Sequence, residues 1–328
     1  MTTLTPAPAP TAARTWQRSG GLLAAALLTL ALVVTSLFVG VYDLGAHGGE
    51  DMFWITRVPR TLALVLAGSA MAVSGLVLQQ LTQNRFVEAT TAGTSEWAAL
   101  GLLLSVILLP TVGLATRMVL ASAAAFVGTM VFLAVLRRVQ VRTTLVVPVV
   151  GLMLGAVVSA LTTLIAVQTN YLQLLGTWFM GSFTSVVRGQ YEVLWVVAAV
   201  CVAIFVLADR LTVAGLGRDV ATNLGLSYDR VLLVGTAMVA VASGVTTVVV
   251  GFLPFLGLVV PNVVSLLRGD DLRSNLPWVC LGGVALVTAC DILGRVVRMP
   301  FEIPVGMILG VVGAAGFLLL VLRVRRRG

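Results

Sequence analysis

Two pairs of arginines have the residue type and the spacing to bind an acidic partner. All 21 basic residues of this 328-residue chain are arginines; Arg57 and Arg60 form one pair, and Arg295 and Arg298 form another. Side chains three residues apart share a face of a helical turn, and a guanidinium binds a carboxylate through parallel hydrogen bonds. Two such pairs predict an acidic partner, whereas anchoring to lipid headgroups is the alternative for an isolated pair.

The other residue types exclude most enzymatic chemistry. Without lysine the chain cannot supply a Walker-type ATP site or a Schiff base. Its single histidine, His47, lies in a Gly-rich segment, and Cys201, Cys280 and Cys290 lie in apolar runs without the spacing of metal ligands. We therefore predict no catalytic residue, no metal site and no cofactor.

The elements that carry the arginines must lie in a lipid bilayer. The chain is 59% hydrophobic and 10% charged, with a mean hydropathy of +1.06, whereas soluble domains are about 25% charged. We expect an all-α integral membrane protein with a transmembrane domain at 21–328. The Ala/Pro/Thr-rich residues 1–20 predict a flexible cytoplasmic tail. The first apolar run is too long for a signal peptide and is interpreted as a retained span.

Apolar runs predict about ten transmembrane helices of roughly 16–24 residues. The eighth and ninth are expected to be short and interrupted by Pro254, Pro261 and Pro277, which indicates irregular, packed helix in the C-terminal third. The runs lie near 21–42, after Arg57, from Ala98, and near 117–136, 144–167, 191–208, 231–250, 252–267, 278–293 and 304–322.

The distribution of arginines predicts the orientation. With the N-terminus inside, fifteen of the 21 arginines fall on the inner side, a clear positive-inside bias for an even number of spans. Both termini are therefore predicted to be cytoplasmic. The outer six include both pairs described above; they are Arg57, Arg60, Arg117, Arg188, Arg295 and Arg298.

The inner segment from Asp209 to Arg230 is longer than a simple turn requires. Its glycines, Gly215, Gly217 and Gly225, enclose a short helical stretch, Arg218 to Leu224. Such a helix on the membrane surface could bind a soluble protein, or it could serve only to complete the connection between two spans.

Several motifs resemble those of the FecCD permease family. They are R-x-P-R-x-L-A near Arg57, G-S-A-x-A-x-S-G at Gly68–Gly75, QLTQNR at Gln80–Arg85, the block from Gly251 to Pro277, and ACDILGRVVRMPFEIPVG after it. The likeness covers about residues 20–325. The sequence departs from the family pattern at Asn262, where the family has histidine, and at Ala92–Glu96. The segments N-R-F-V and L-P-F-L-G-L-V-V-P-N resemble the branch that imports ferric catecholate-type siderophores.

The resemblance implies a fold and residue roles. The family consists of membrane subunits of binding-protein-dependent ABC importers for ferric siderophores, haem and vitamin B12, with the type II, vitamin B12 importer-type permease fold. Docking of the extracytoplasmic binding protein is implied for Arg57, Arg60, Arg295 and Arg298. Coupling to the ATPase is implied for Leu216, Gly217, Arg218, Asp219, Thr222, Asn223, Leu224 and Gly225. A cytoplasmic gate is implied for Asn84, Phe86, Thr143 and Thr144.

The resemblance also implies a mechanism and partners. Two separate ATPase subunits would drive translocation, a second permease copy would complete the pathway, and a paralogue is favoured over an identical copy. The assembly would lie in the bacterial cytoplasmic membrane. Ser159, Thr162, Thr163 and Gln168, in the fifth span, are candidates to line the pathway, although hydrogen bonding between helices is the alternative role.

Three other functions are weighed against a siderophore importer. A permease of the same family for haem or vitamin B12 differs only in its substrate. An ion-coupled secondary transporter normally carries ionisable residues at the membrane midplane, whereas most charges here lie at the predicted span ends. A multispan enzyme would need a nucleophile–base pair or a metal cluster, for which the residue types are missing.

Overall fold

A computed structural model describes residues 12–40, 49–139 and 146–325 of the chain. His47, Thr143 and Thr144 lie outside these residues, as does most of the predicted tail. Throughout the described ranges the regular structure is helical, with a π-helical turn at Phe53–Arg57 and a 3-10 turn at Glu192–Leu194. The α-helices are α1 Ala12–Phe38, α2 Gly49–Met52, α3 Val58–Leu81, α4 Thr94–Leu108, α5 Leu114–Arg138, α6 Val146–Gln168, α7 Leu172–Met180, α8 Trp195–Val206, α9 Ala208–Gly215, α10 Arg218–Asn223, α11 Tyr228–Val249, α12 Leu256–Arg268, α13 Leu272–Val296 and α14 Val305–Arg325.

Six helical segments of the described chain are long and apolar enough to cross a membrane. A seventh results if α8 and α9, which meet at a bend of 65°, form one span. Three shorter apolar helices remain: α4, α12 and the Val305–Leu320 part of α14. These ten segments follow the order of the ten predicted runs, but the ten-span count stays a prediction because three of them are short.

Helix α3 is the centre of the bundle. Most of its apolar window is buried (83%), whereas only 11% of the corresponding window of α1 is buried, so α1 lies at the perimeter. Two glycines of α3, Gly75 and Gly68, permit close helix crossings. A Cβ on Gly75 would lie 2.0 Å from the carbonyl oxygen of Gly257 in α12. A Cβ on Gly283 in α13 would lie 2.4 Å from the carbonyl oxygen of Gly68. Small residues thus bring helices together, as is usual in membranes.

The prediction that prolines interrupt the eighth and ninth spans was wrong for two of the three. Pro261 lies inside α12, and Pro277 lies inside the 25-residue α13, close to its start. Pro261 cannot donate to the carbonyl of Gly257, one turn earlier. The Nε2 of Gln79 in α3 donates to that oxygen instead, at 3.3 Å. The freed acceptor is therefore satisfied by a neighbouring helix. The expected irregular stretch does occur before α12, where residues 251–255 include Pro254 and are not helical.

Candidate docking, gating and coupling sites

An ion cluster joins α3 and α13 at one end of the bundle. The guanidinium of Arg60 donates to Asp291 from Nη2 at 2.7 Å and to Glu302 from Nη1 at 2.9 Å. Asp291 also pairs with Arg295, one turn further along α13, at 2.6 Å. The four-residue spacing of Asp291 and Arg295 puts them on one face of α13, which accounts for this intrahelical pair. Asp291 is completely buried, so its charge requires these two partners.

The end of α1 supplies further acceptors to this cluster. Arg295 donates to the carbonyl of Ser36 at 2.9 Å and to its hydroxyl at 2.6 Å. Arg57 donates to the carbonyls of Val39 at 2.8 Å and Leu37 at 3.2 Å. The last carbonyls of a helix have no intrahelical donors and form the negative end of its dipole, which favours cations there. Arg57 and Arg295 are consequently only 8% and 4% exposed.

Glu302 is the acidic member of the cluster nearest to solvent. It lies between α13 and α14, with its side chain 25% exposed, and accepts a 2.6 Å hydrogen bond from the hydroxyl of Thr184. Burial opposes its charge, but the hydrogen bond from Thr184 and the guanidiniums of Arg60 and Arg295 outweigh that effect and lower the pKa of Glu302 below its usual value. Sequence reasoning missed both Glu302 and Thr184, because their contacts join segments far apart in the chain.

The four arginines predicted to dock a binding protein are therefore in different environments. Arg57, Arg60, Arg295 and Glu302 line an open cavity of about 230 Å³. Arg298 lies just beyond α13 and is exposed. The structure thus brings three of the four together around internal partners and leaves the fourth on the surface.

The opposite end of α3 leads into a packed segment that contains two predicted gate residues. The side-chain oxygen of Asn84, a buried residue, accepts from the backbone N–H of Phe86 at 2.9 Å. The Phe86 ring meets the ring of Phe317 in α14 edge to face, with centroids 5.7 Å apart. Asn262, at the position where the sequence departs from the family histidine, donates to the carbonyl of Arg85 at 2.7 Å. These contacts hold the segment against α12 and α14.

Glu88 anchors the same segment at the start of α12. Its Oε1 accepts from the backbone N–H of Phe255 at 2.9 Å, and the N–H groups of Gly257 and Leu258 also donate to its carboxylate. The first N–H groups of a helix lack intrahelical partners and attract negative charge. Here the carboxylate comes from a distant segment, so sequence reasoning missed it. The only signal was a carboxyl group within a largely apolar region.

A short surface helix lies at this same end. The predicted helix Arg218 to Leu224 is confirmed, with α10 spanning Arg218–Asn223. Val220 and Leu224 lie four residues apart on one face of α10 and are exposed by 44% and 66%, and Leu216, which precedes the helix and its break at Gly217, is exposed by 57%. We call these three exposed apolar side chains the apolar stripe. Asp229 fixes the start of α10 by binding Arg218 at 2.6 Å and Arg137 at 3.4 Å.

The ion cluster and the surface helix lie at opposite ends of the bundle. Gln83 follows α3 and donates to the carbonyl of Gly215 just before α10, at 3.1 Å, whereas Arg60 lies in the first turn of α3. That helix has 24 residues and is therefore about 36 Å long, slightly more than the hydrocarbon core of a bilayer at about 30 Å. A partner at one end thus cannot touch a partner at the other.

The four predicted pathway residues do not share one environment. Thr162 in α6 is buried and donates to the carbonyl of Val158 at 2.7 Å. Thr163 and Gln168 are exposed, and Ser159 is half-buried. Successive residues of a helix point about 100° apart, so Thr162 and Thr163 face different surroundings. Gly155 of α6 packs against Gly93 and against the carboxyl of Glu96.

Comparisons with known proteins agree over almost the whole chain. The model of the FecCD transport family matches residues 21–323. The petrobactin import system permease protein FatD of Bacillus anthracis is 54% identical over 92% of this chain and 91% of its own length. The ferric-anguibactin transport system permease protein FatD of Vibrio anguillarum is 40% identical over 89% of this chain and 95% of its own. A solved structure of a metal-chelate type ABC transporter in an inward-facing conformation has a TM-score of 0.78 at 22% identity, over 93% of this chain and 99% of that one.

Proposed function

Because the chain belongs to the FecCD transport family, we propose that it is the membrane-spanning permease subunit of a binding-protein-dependent ABC importer for a ferric siderophore. The observation that carries the proposal is the 54% identity to a petrobactin import permease over nearly the full length of both chains. The chain acts as a transport permease and not as an enzyme, and ATP hydrolysis occurs in separate ATPase subunits. The site of action is the bacterial cytoplasmic membrane.

The proposed topology has ten spans with both termini in the cytoplasm. The six long helices, the bent pair α8 and α9, and the three shorter apolar helices supply the ten segments. The arginine excess supports an inner position for the end that carries α10. The ion cluster of Arg60, Asp291, Arg295 and Glu302 then lies at the extracytoplasmic end.

Each end of the molecule is proposed to bind a different partner. At the outer end, Arg298 is accessible to acidic residues of the binding protein, and the cavity beside Arg57, Arg60 and Arg295 carries guanidinium groups. At the inner end, the apolar stripe of Leu216, Val220 and Leu224 has the composition of a surface that a soluble protein covers. We therefore assign Leu216–Gly225 to the contact with the ATPase.

Translocation in this proposal follows a change between outward-open and inward-open states. Closure of two ATPase subunits moves α10, and the bundle transmits the motion as packed, rigid helices. Asn84 and Phe86, with Thr143 and Thr144, are assigned to the cytoplasmic gate, and Ser159, Thr162, Thr163 and Gln168 to the pathway. A second permease copy, preferably a paralogue, supplies the other half of the pathway.

The proposed substrate is a ferric catecholate-type siderophore, and haem or vitamin B12 is the alternative. The decisive experiment reconstitutes the permease with its ATPase subunits, its second permease and its binding protein in proteoliposomes. We expect ATP-dependent uptake of a radioiron-labelled catecholate siderophore, and no competition by haem or vitamin B12. Uptake driven by an ion gradient in liposomes that contain the purified chain alone would refute the proposal.

A further inference from the structure

A groove opens where α8 bends into α9. The two helices meet at Leu207 at an angle of 65°, and residues of α9 and α11 line a cavity beside this bend. This cavity has a volume of about 440 Å³, within the usual range of small-molecule sites, about 300–1,000 Å³. It is lined by Leu207, Arg210, Leu211, Gly225, Leu226, Ser227, Arg230, Val231, Val234, Gly235 and Met238.

The groove runs from the membrane surface into the bilayer. On the side of α11, its lining runs from Ser227, which precedes that helix, to Met238 within it. Eleven residues of helix correspond to about 16 Å, which is roughly half the thickness of the hydrocarbon core. Beyond Arg230, the lining residues of α11 are apolar or glycine. A water-soluble protein does not reach this depth, whereas an acyl chain does.

The mouth of the groove carries two arginines without acidic partners. Among the described arginines at this end, Arg85, Arg137, Arg218 and Arg273 pair with aspartates, and Arg268 lies over the ring of Trp278. Arg210 and Arg230 are exposed, line the groove and form no ion pair in the part of the chain that the structure describes. No lining residue is acidic. The nearby Asp209 and Asp229 are neutralised by other arginines.

We propose that this groove binds an anionic phospholipid of the inner leaflet, with its phosphate at Arg210 and Arg230 and an acyl chain between α9 and α11. Basic pockets between helices on the cytoplasmic side of a membrane bind such headgroups. The inference rests on the proposed orientation, which places this end in the cytoplasm. The proposal places the lipid between α9 and α11, the two helices that flank α10.

The position of the groove predicts an effect on coupling. The lining includes Gly225 and Leu226, directly after α10, and Arg210 and Leu211 of α9, which precedes it. A bound lipid would therefore contact both α9 and the residues directly after α10, and so stabilise the two sides of the segment assigned to the ATPase contact. ATPase activity that the loaded binding protein stimulates should be higher in membranes with anionic lipid than in phosphatidylcholine alone.

Native mass spectrometry of the purified full chain with phosphatidylglycerol tests the binding directly. Each arginine near an anionic surface contributes about a fivefold preference, so we expect R210Q/R230Q to retain at least tenfold less phosphatidylglycerol than the wild type. R210K/R230K should retain it, and Val234→Trp should displace it by filling the groove without changing the charge. Arg138→Gln is the matched control, because Arg138 is exposed, has no acidic partner among the described residues and lies outside the groove.

Several outcomes would overturn the proposal. Equal retention by R210Q/R230Q and Arg138→Gln would show that the arginines act only as general surface charge. Displacement of the lipid by glycerol phosphate would assign the site to a free phosphate. Loss of ATPase binding by R210Q/R230Q in lipid-free detergent would instead make the arginines contacts of the ATPase. None of these readouts depends on transport, so failure here is distinguishable from failure of the proposed import function.

Discussion

Glu302 holds together three segments through one carboxylate. It accepts from Arg60 of α3 and from Thr184, which lies between α7 and α8. Its lowered pKa means that the folded state favours the ionised form. The stabilisation is therefore present at neutral pH, above the usual carboxyl pKa, and is lost as the pH falls through the lowered pKa of the folded protein.

Replacing Glu302 by glutamine tests this stabilisation. We expect Glu302→Gln to lower the free energy of unfolding at pH 7 by about 1–2 kcal/mol, because hydrogen bonds to charged groups are lost. The difference from wild type should shrink below about pH 4.5, as measured by thermal unfolding in detergent. Glu192→Gln is the control, since Glu192 is exposed and accepts from the backbone of Gly189. A difference that grows on acidification would contradict the assigned direction of the shift.

Arg298 offers the cleanest test of docking among the four arginines. Charge reversal at Arg57, Arg60 or Arg295 would bury an unpaired carboxylate and destabilise the fold by about 3–5 kcal/mol, whether or not the residue contacts a partner. Arg298→Glu alters an exposed charge. We expect it to weaken binding-protein affinity about twofold to fivefold at low salt, mainly through the association rate, and less at high salt.

The docking measurement uses surface plasmon resonance with the permease in nanodiscs. Arg117→Glu provides a comparison at another arginine of the predicted outer group, outside the ion cluster. An affinity that is unchanged for Arg298→Glu at every salt concentration would remove Arg298 from the docking surface.

The sequence could predict only the local part of the ion cluster. Asp291 and Arg295 lie four residues apart, so helical geometry alone brings them together. Arg60 and Asp291 are separated by 231 positions along the chain, and their contact depends on the crossing of α3 and α13. Glu88 was missed for the same reason, because its contact with the start of α12 joins residues that are far apart in the sequence.

At the scale of elements, α10 is a surface helix with one apolar stripe. Leu224→Asp places a charge in that stripe, which a partner must desolvate. We expect the variant to lose co-purification with the ATPase subunit while its own melting temperature changes little. Leu267→Asp, at an exposed leucine near the end of α12 on the same side, is the matched control. Equal loss in both variants would show that the assignment to α10 is wrong.

Close helix crossings make α3 sensitive to single methyl groups. A Cβ on Gly75 meets the backbone of Gly257, whereas a Cβ on Gly310 in α14 meets nothing within 4 Å. We expect Gly75→Ala to destabilise the protein by about 1–3 kcal/mol through overpacking, and Gly310→Ala to be neutral or slightly stabilising. Thermal unfolding of the two variants measures the difference. Equal melting temperatures would mean that the α3–α12 crossing relaxes at little cost.

Element boundaries were predictable where local signals decide them. The glycines around α10 marked that helix correctly, and Pro59 occupies the first turn of α3, where its missing N–H removes no helical hydrogen bond. Pro261 misled because its effect depends on another helix: Gln79 donates to the carbonyl that the proline leaves free. Hydropathy likewise predicted the ten apolar segments, but it could not locate the 65° bend at Leu207, which contains neither glycine nor proline.

At the scale of the whole molecule, the two faces differ in how their arginines are partnered. At the end with Arg60, buried guanidiniums are held by Asp291, Glu302 and the end of α1. At the end with α10, several arginines form exposed pairs with aspartates, which contribute little to stability. The end with Arg60 therefore holds its arginines in buried contacts, whereas the end with α10 keeps its charged pairs exposed to solvent.

The proposed orientation of the molecule in the membrane predicts which engineered cysteines an impermeant reagent can reach. In a background with Cys201, Cys280 and Cys290 replaced, Arg298→Cys should react with a membrane-impermeant maleimide on intact spheroplasts. Asn223→Cys should react only after permeabilisation, because α10 lies at the opposite end of a helix longer than the hydrocarbon core. Both positions are exposed, so accessibility of the side chain does not distinguish them. Labelling in the reverse order would show that the proposed orientation is inverted, and the arginines assigned to docking would then lie on the side of the ATPase.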